Sequence, residues 1–409
     1  MRISRFYFST LLFAMIVTLV GCSKKPKEPE YTIGFSQCVG SDLWRQTMLE
    51  EMKMELSLHP QSKFIYADAD NSSSTQVRQV RDMLRQGIDI LIISPNEAMP
   101  LTGIVEETYK KGIPVVVIDR KPSPSLYTAY IGAENYQIGK MAGIYLANLL
   151  NNKGNILEIM GLPGSSPAIE RGRGFAAALR DHPGVKVSAQ LHGDWLAGNT
   201  ASELLKNQEK LIGVNAIFAH NDVMARSARE VLRKLGLDSG VKVIGVDALP
   251  GKGGGLDMVD SRLLTASMLY PTGGKEAISV ALKILGKQSF QKENILQSLV
   301  IDSSNVQLMK LQWARINSQQ NDIERQQRLL ADQFEIYENQ RLVLNFIVIT
   351  LVLAVVFGGL AFHALLENRK INRSLEHKNQ EILTQRNQLI EMSEKAEAAT
   401  EAKLNFFTN

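Results

Sequence analysis

From Leu342 to Leu366 the chain runs for 25 residues without an aspartate, glutamate, lysine or arginine. A helix of about 20 apolar residues is enough to cross a hydrocarbon layer of ~30 Å, and inside that layer the helix must satisfy its own backbone. The segment is therefore expected to span a membrane at 342–366 and to divide the chain into two parts that cannot share a core. A buried helix of a soluble domain is the alternative, and the strongly polar stretches on both sides argue against it. Glu338 and Arg341 precede the segment, whereas Arg369, Lys370, Arg373 and Lys378 follow it. Lysine and arginine collect on the cytoplasmic side, so residues from 367 onward are expected inside and those before 342 outside.

The N-terminus agrees with that orientation. Arg2 and Arg5 precede an apolar run from Phe6 to Val20, and a polar stretch follows Cys22. This is the pattern of an export signal at 1–22 with a short linker at 23–30. Leu19-Val20-Gly21-Cys22 is similar to the lipobox of bacterial lipoproteins, in which the cysteine is lipidated and becomes the mature N-terminus. An uncleaved signal anchor with an incidental Cys22 is the other reading, though the run is short for a span. Cys38 is the only other cysteine, so the exported part cannot hold an internal disulfide and must rely on its core. A net charge of +4 over 409 residues, partly placed beside the membrane segments, gives no basic patch for nucleic acid.

Between Tyr31 and Asn305, short β-branched runs alternate with amphipathic stretches. The spacing predicts strands at Thr32–Ser36, Phe64–Ala67, Ile88–Ser94, Val115–Ile118, Asn155–Met160, Ala216–Ala219 and Val241–Val246, with helices between them such as Leu43–Leu58, Ile169–Leu179 and Val223–Leu235. Alternation of this kind makes parallel sheets covered by helices. A stretch of 275 residues exceeds one ordinary core, so two α/β lobes with a cleft between them are expected at 31–305. In such sheets ligands lie beyond the carboxyl ends of the strands. Five of those ends carry polar groups: Gln37, Ser41, Asp42, Trp44 and Arg45; Asp119-Arg120; Arg171; Asn221-Asp222; and Asp247. Guanidinium, carboxylate and amide groups match adjacent sugar hydroxyls, and an indole face suits the C–H face of a sugar ring. Singly each is an ordinary loop residue; together they point to one small polar ligand.

Several of these segments carry a family resemblance. Thr32-Ile33-Gly34-Phe35-Ser36-Gln37, Ile113 to Arg120, Glu170-Arg171-Gly172, Ala219-His220-Asn221-Asp222 and Val243-Ile244-Gly245-Val246-Asp247 resemble type I periplasmic sugar-binding proteins, the ribose- and galactofuranose-binding proteins among them. The resemblance covers about 31–306 and implies the two-lobed, hinged fold. It also implies that Asp119, Arg120, Arg171, Asn221 and Asp247 hydrogen-bond a monosaccharide, and that Trp44 and Trp195 stack on it, with Asp42 and Arg45 at the same site. Arg45 follows the galactofuranose-binding pattern, Gly-Phe-Ser-Gln and then Trp-Arg, where ribose-binding proteins have an aromatic. Tyr270 is a departure, standing where ribose-binding proteins place a ligand-contacting glutamine. A furanose is the implied ligand, with fructose the leading candidate.

No catalytic, cofactor or metal constellation is expected. The six histidines, His59, His182, His192, His220, His363 and His377, have no zinc-like spacing. Gly251–Gly255 lacks the lysine and hydroxyl residue of a phosphate loop and reads as a flexible loop in a region where the chain crosses between lobes.

Residues 306–341 are polar and helical in pattern and read as a stalk, with Leu308, Leu311, Ile316, Ile323, Leu330, Phe334 and Tyr337 as packing positions. Beyond the span, at 367–409, Leu375, Ile382 and Leu389 recur every seven residues, as in a parallel two-stranded coiled coil, so a homodimer is expected. A single solvated helix is the alternative, favoured by Lys378 and Gln385 on the seam. The tail Ala402 to Asn409 is similar to the segment that precedes the phosphoacceptor box of sensor histidine kinases. That resemblance implies the leading part of a two-component or hybrid two-component sensor kinase, signalling to a response regulator, whose kinase machinery lies outside these 409 residues. Two other classes compete: a membrane-tethered binding protein serving a transporter, and a chemoreceptor. Repressors of the lactose-repressor type share the fold but begin with a DNA-binding headpiece, which an export signal replaces here.

Overall fold

The computed structural model describes residues 31–122 and 126–407. The export signal and Cys22 lie outside the described residues. Contacts divide the chain into one unit that ends at Arg315 and a second from Ile316 onward.

The first unit contains two six-stranded sheets. In the first lobe β1 (Thr32–Gln37), β2 (Lys63–Asp68), β3 (Ile90–Ser94), β4 (Val115–Ile118), β5 (Ala129–Ala133) and β11 (Glu293–Leu296) are ordered β11-β5-β4-β3-β1-β2, all parallel. In the second, β6 (Gly154–Met160), β7 (Val185–His192), β8 (Ala216–Ala219), β9 (Lys242–Asp247), β10 (Ala266–Leu269) and β12 (Val300–Asp302) are ordered β12-β10-β9-β8-β6-β7, with only β12 antiparallel. The helices are α1 (Leu43–Ser57), α2 (Ser73–Arg85), α3 (Ala98–Lys110), α4 (Asn135–Leu149), α5 (Ser166–Arg180), α6 (Ala197–Lys206), α7 (Asp222–Lys234), α8 (Gly255–Asp260), α9 (Gly274–Leu285) and α10 (Val306–Phe407). This is the two-lobed, doubly wound architecture that the sequence pattern predicts.

Burial explains the strand sequences. Every residue of β3 and β4 is buried, because helices cover both faces of a parallel sheet, and the strands accordingly read as unbroken Ile/Leu/Val runs. The edge strands β2 and β7 are mostly exposed or half-buried and mix polar with apolar residues. Side chains cap some of the helix starts: Asp42 accepts from Arg45 N at 2.8 Å to open α1, and Asn221 accepts from Met224 N at 2.8 Å to open α7.

The chain passes between lobes three times: from β5 through α4 to β6, from β10 to α9, and from β11 to β12. One buried cluster follows the first passage, from Ile33, Met48 and Ile131 through Ile138, Ala142 and Leu146 of α4 to Ile156, Phe175 and Phe218. Helices α4 and α5 approach so closely that a Cβ on Gly139 would sit 1.9 Å from Arg171 O, and one on Gly174 2.0 Å from Tyr136 O. Gly251–Gly255 does not lie at a crossing. It falls between β9 and β10, wholly inside the second lobe, and its last residue begins α8. The sequence expectation fails there because a glycine run shows a turn without showing which sheet the next strand joins.

Helix α10 begins in the first unit, where Val306 is buried and Met309 and Trp313 pack on the second lobe's core. The second unit is the remainder of that helix. It contains the single described stretch long and apolar enough to cross a membrane, with a best-window mean hydropathy of 2.6.

Candidate ligand-binding cleft

The carboxyl ends of β1, β4, β8 and β9 and the starts of α1, α5 and α7 converge on one cavity of about 600 Å³, counting the space open to solvent. All ten residues expected at the site line it: Asp42, Trp44, Arg45, Asp119, Arg120, Arg171, Trp195, Asn221, Asp247 and Tyr270. The structure brings them together; their contacts are largely with one another.

Asp119 organises the first-lobe wall. It stands just past β4 with φ at 65°, and its Oδ2 accepts from Arg45 at 2.8 Å and from Ser94 Oγ at 3.2 Å. Its Oδ1 accepts from the Tyr270 hydroxyl at 2.8 Å. Arg45 in turn donates from Nε to Cys38 Sγ at 3.0 Å. The guanidinium is thus held by a carboxylate and a thiol, and its partner carboxylate is spanned by three donors. Arg120 donates to the Asn96 carbonyl at 2.6 Å.

Trp44 stacks on Tyr270 with ring centroids 5.1 Å apart, and its Nε1 donates to Tyr270 O at 2.9 Å. Tyr270 therefore occupies one face of the first-lobe aromatic, and it sits 4.5 Å beneath the Arg171 guanidinium. Arg171 donates from Nε to Asn135 Oδ1 at 2.9 Å and from Nη1 to the His220 carbonyl. Asn221, with its oxygen committed to the cap of α7, donates from Nδ2 to Trp195 O at 3.2 Å. The Trp195 ring lies 5.7 Å from the Arg120 guanidinium and 5.6 Å from that of Arg171.

Two N–H groups in this lining, Arg120 Nε and Trp195 Nε1, are buried with no hydrogen-bond partner. Arg120 Nε stands 3.7 Å from Asp119 Oδ2, an ion pair beyond hydrogen-bond distance, and a ligand bringing acceptor oxygens would satisfy both groups. His220 is not a base for chemistry in the cleft. Its Nε2 lies 2.9 Å from Glu158 Oε1 and its Nδ1 accepts from Gly161 N at 3.4 Å, and burial holds the imidazole below its usual range. Among the described residues no group of three or more His, Cys, Asp or Glu is placed to hold a metal ion.

Sequence reading left three parts of the lining unassigned. Asp222 follows Asn221 but drew no role beyond its strand end. In the structure it accepts from Ser267 Oγ at 2.7 Å and from Ala248 N at 2.8 Å on the cleft floor. Burial pushes its carboxyl up to about 7, against those two hydrogen bonds. Asp247, at φ 122°, is also pushed up, first by burial and then by Asp222. Leu249 and Met258 add apolar surface, and Gly253–Gly255 add backbone. Asn135, Cys38 and Ser94 hold the lining from behind. Asp222 carries a sequence signal, as the last residue of Ala219-His220-Asn221-Asp222; for the others only position in the fold identifies them.

A model of the periplasmic binding protein domain matches residues 33–289. The chain belongs to the periplasmic binding protein family. Relatives within it include the ribose import binding protein RbsB of Bacillus subtilis, 30% identical over 296 residues and covering 69% of this chain and 94% of the relative. The galactofuranose-binding protein YtfQ of Escherichia coli is 29% identical over 228 residues, 54% of this chain and 71% of its own length. Among solved structures, the fructose-binding periplasmic domain of the hybrid two-component system BT1754 is 39% identical with a TM-score of 0.70, covering 72% of this chain and 98% of that one. The family match ends at residue 289, before β11, β12 and α10.

Proposed function

We propose that this periplasmic binding protein domain binds a monosaccharide, a furanose with fructose first, and reports its occupancy across the inner membrane to a histidine kinase of a two-component system. The observation that carries the reading is the likeness, at 39% identity, to a fructose-binding sensor domain of a hybrid two-component system. The cleft supports it chemically: Asp119, Arg120, Arg171, Asn221 and Asp247 offer charged and amide groups around two indoles, and two buried N–H groups await acceptors. Asp42 and Arg45 fix the first-lobe wall, and Tyr270 narrows the cleft beside Trp44.

In this reading residues 31–305 sense, 306–341 form a periplasmic stalk, 342–366 span the membrane and 367–409 begin the cytoplasmic signalling helix. The chain itself carries no kinase function; a following kinase part would act on a response regulator. Cys22 is the proposed lipidation site. Leu375, Ile382 and Leu389 lie more than half exposed along α10 at seven-residue spacing, which suits pairing with a second copy.

Calorimetry on residues 31–315 tests the ligand. D-Fructose should bind, and Asp119→Ala or Arg171→Ala should weaken it by about 10- to 150-fold, the loss of one charged hydrogen bond. Absence of heat with fructose and with every other furanose would reject the reading. The import-protein relatives favour a second one, a membrane-tethered binding protein that hands sugar to a transporter. Deleting 367–409 would leave such a delivery role intact and abolish a signalling one.

A further inference from the structure

Helix α8 has one side on the cleft and the other on the root of α10. On the cleft side, Gly253, Gly254, Gly255 and Met258 form part of the lining. Gly255 lies hard against the floor: a Cβ there would stand 2.0 Å from Asp222 Oδ2 and 2.7 Å from Ala248 Cα. On the far side, Asp257 and Asp260 both reach the Lys310 ammonium, at 3.1 and 2.7 Å, and the Gln307 amide donates to Asp260. Beneath these polar contacts Leu256, Met258 and Val259 share a buried cluster with Val306, and Met309 and Trp313 pack against it.

The two attachments of α8 differ in build. It is joined to β9 through a loop in which Gly251 and Gly253 take φ of 86° and 78°, a backbone that glycine adopts without strain. It is held to α10 by a packed apolar contact overlaid with one amine shared between two carboxylates. An element on a glycine tether, seated on a ligand wall and clasped to a second helix, moves with whichever neighbour moves. Helices at subunit interfaces switch by shifts of ~1–2 Å between discrete arrangements, and a shift of that size is enough to move a contact such as this one.

We propose that α8 is the transmission element of this receptor. Ligand seated against Gly254 and Met258 sets the position of α8 over Asp222, and the Lys310 clasp with Asp257 and Asp260 carries that position into the first turns of α10. The inference rests on the reading of the cleft as a sugar site, and it goes beyond it. The covalent path from β12 into Val306 would also couple lobe to helix, but it would not need the clasp.

The full chain in lipid nanodiscs allows a direct test. Amide hydrogen exchange at 307–315 is measured with and without saturating D-fructose, with calorimetry on the same samples. In the native chain fructose should change exchange there several-fold. Lys310→Met, and separately the pair Asp257→Asn with Asp260→Asn, should lose that change while fructose affinity stays within about fivefold, the low end of an ordinary coupling. Lys310→Arg, which keeps the clasp, should retain it. Fructose that binds the native chain without altering exchange at 307–315 would overturn the proposal, as would a full response in Lys310→Met. Absence of calorimetric heat with the native chain would instead remove the fructose reading of the cleft, and the relay with it.

Discussion

At the scale of single residues, the cleft is a set of polar side chains that mostly satisfy one another. Asp119 is the clearest case, with Arg45, Ser94 and Tyr270 all donating to it. Tyr270→Phe removes one donor to a buried carboxylate and should lower stability by about 1.5–3 kcal/mol, read from urea unfolding of residues 31–315. Asp222 gives a pH signature. Its carboxyl is raised from 3.8 to about 7 in the fold, so between those values the folded state holds a proton that the unfolded chain has released. Stability from this group is present below pH ~4 and declines as pH rises toward 7. Thermal midpoints of the native domain should fall across that window, and Asp222→Asn should flatten the slope. A slope unchanged by the substitution would show that other groups set it. Sequence alone could find Asp119, Arg171 and Asp247, because Asp119 directly follows a buried strand, Asp247 ends one, and Arg171 lies in the second turn of the helix after one. It could not find that Asp42 and Asn221 spend an oxygen on helix caps, since capping and ligand binding call for the same residue types at the same place.

At the scale of elements, legibility follows runs of large apolar side chains. The strands β1, β3, β4, β6, β8 and β9 declare themselves in this way, and the edge strand β2 does so through Phe64-Ile65-Tyr66, whereas β5, β7, β10, β11 and β12 do not; β5 is buried throughout, but its Ala-Tyr-Ile-Gly-Ala is too rich in small residues to stand out. Strand β7 reads Val-Lys-Val-Ser-Ala-Gln-Leu-His with only two residues buried, and β12 has three residues; edge strands such as these need too few apolar side chains to stand out. The α4–α5 contact is likewise invisible in the sequence until the two helices are known to touch. Gly139→Ala would force a methyl group onto the Arg171 carbonyl. It should destabilise by roughly 1–3 kcal/mol or more and, by shifting the backbone that carries Arg171, weaken sugar binding as well. A binding isotherm beside a denaturation curve separates the two effects, and native affinity in a destabilised variant would mean that α5 yields elsewhere.

For the whole molecule, the proposed topology makes a two-part prediction. A cysteine at Asp322 should react with an impermeant maleimide on intact cells, and one at Glu381 only after permeabilisation; the reverse pattern would invert the orientation. Ile382→Cys should form an intermolecular disulfide in membranes and Gln380→Cys, on the opposite face, should not. The order of strands in the first sheet has one more consequence, which concerns time. Its last strand, β11, comes from residues 293–296, and α9, whose Ala277 and Ile278 complete the core around Met48 and Met52, comes only shortly before. The first lobe therefore stays open until all of the second except β12 has been threaded through, and contacts this distant along the chain form slowly. A chain whose first lobe cannot close early would stay unfolded during the export proposed above, which is the state in which a narrow secretion channel can pass it.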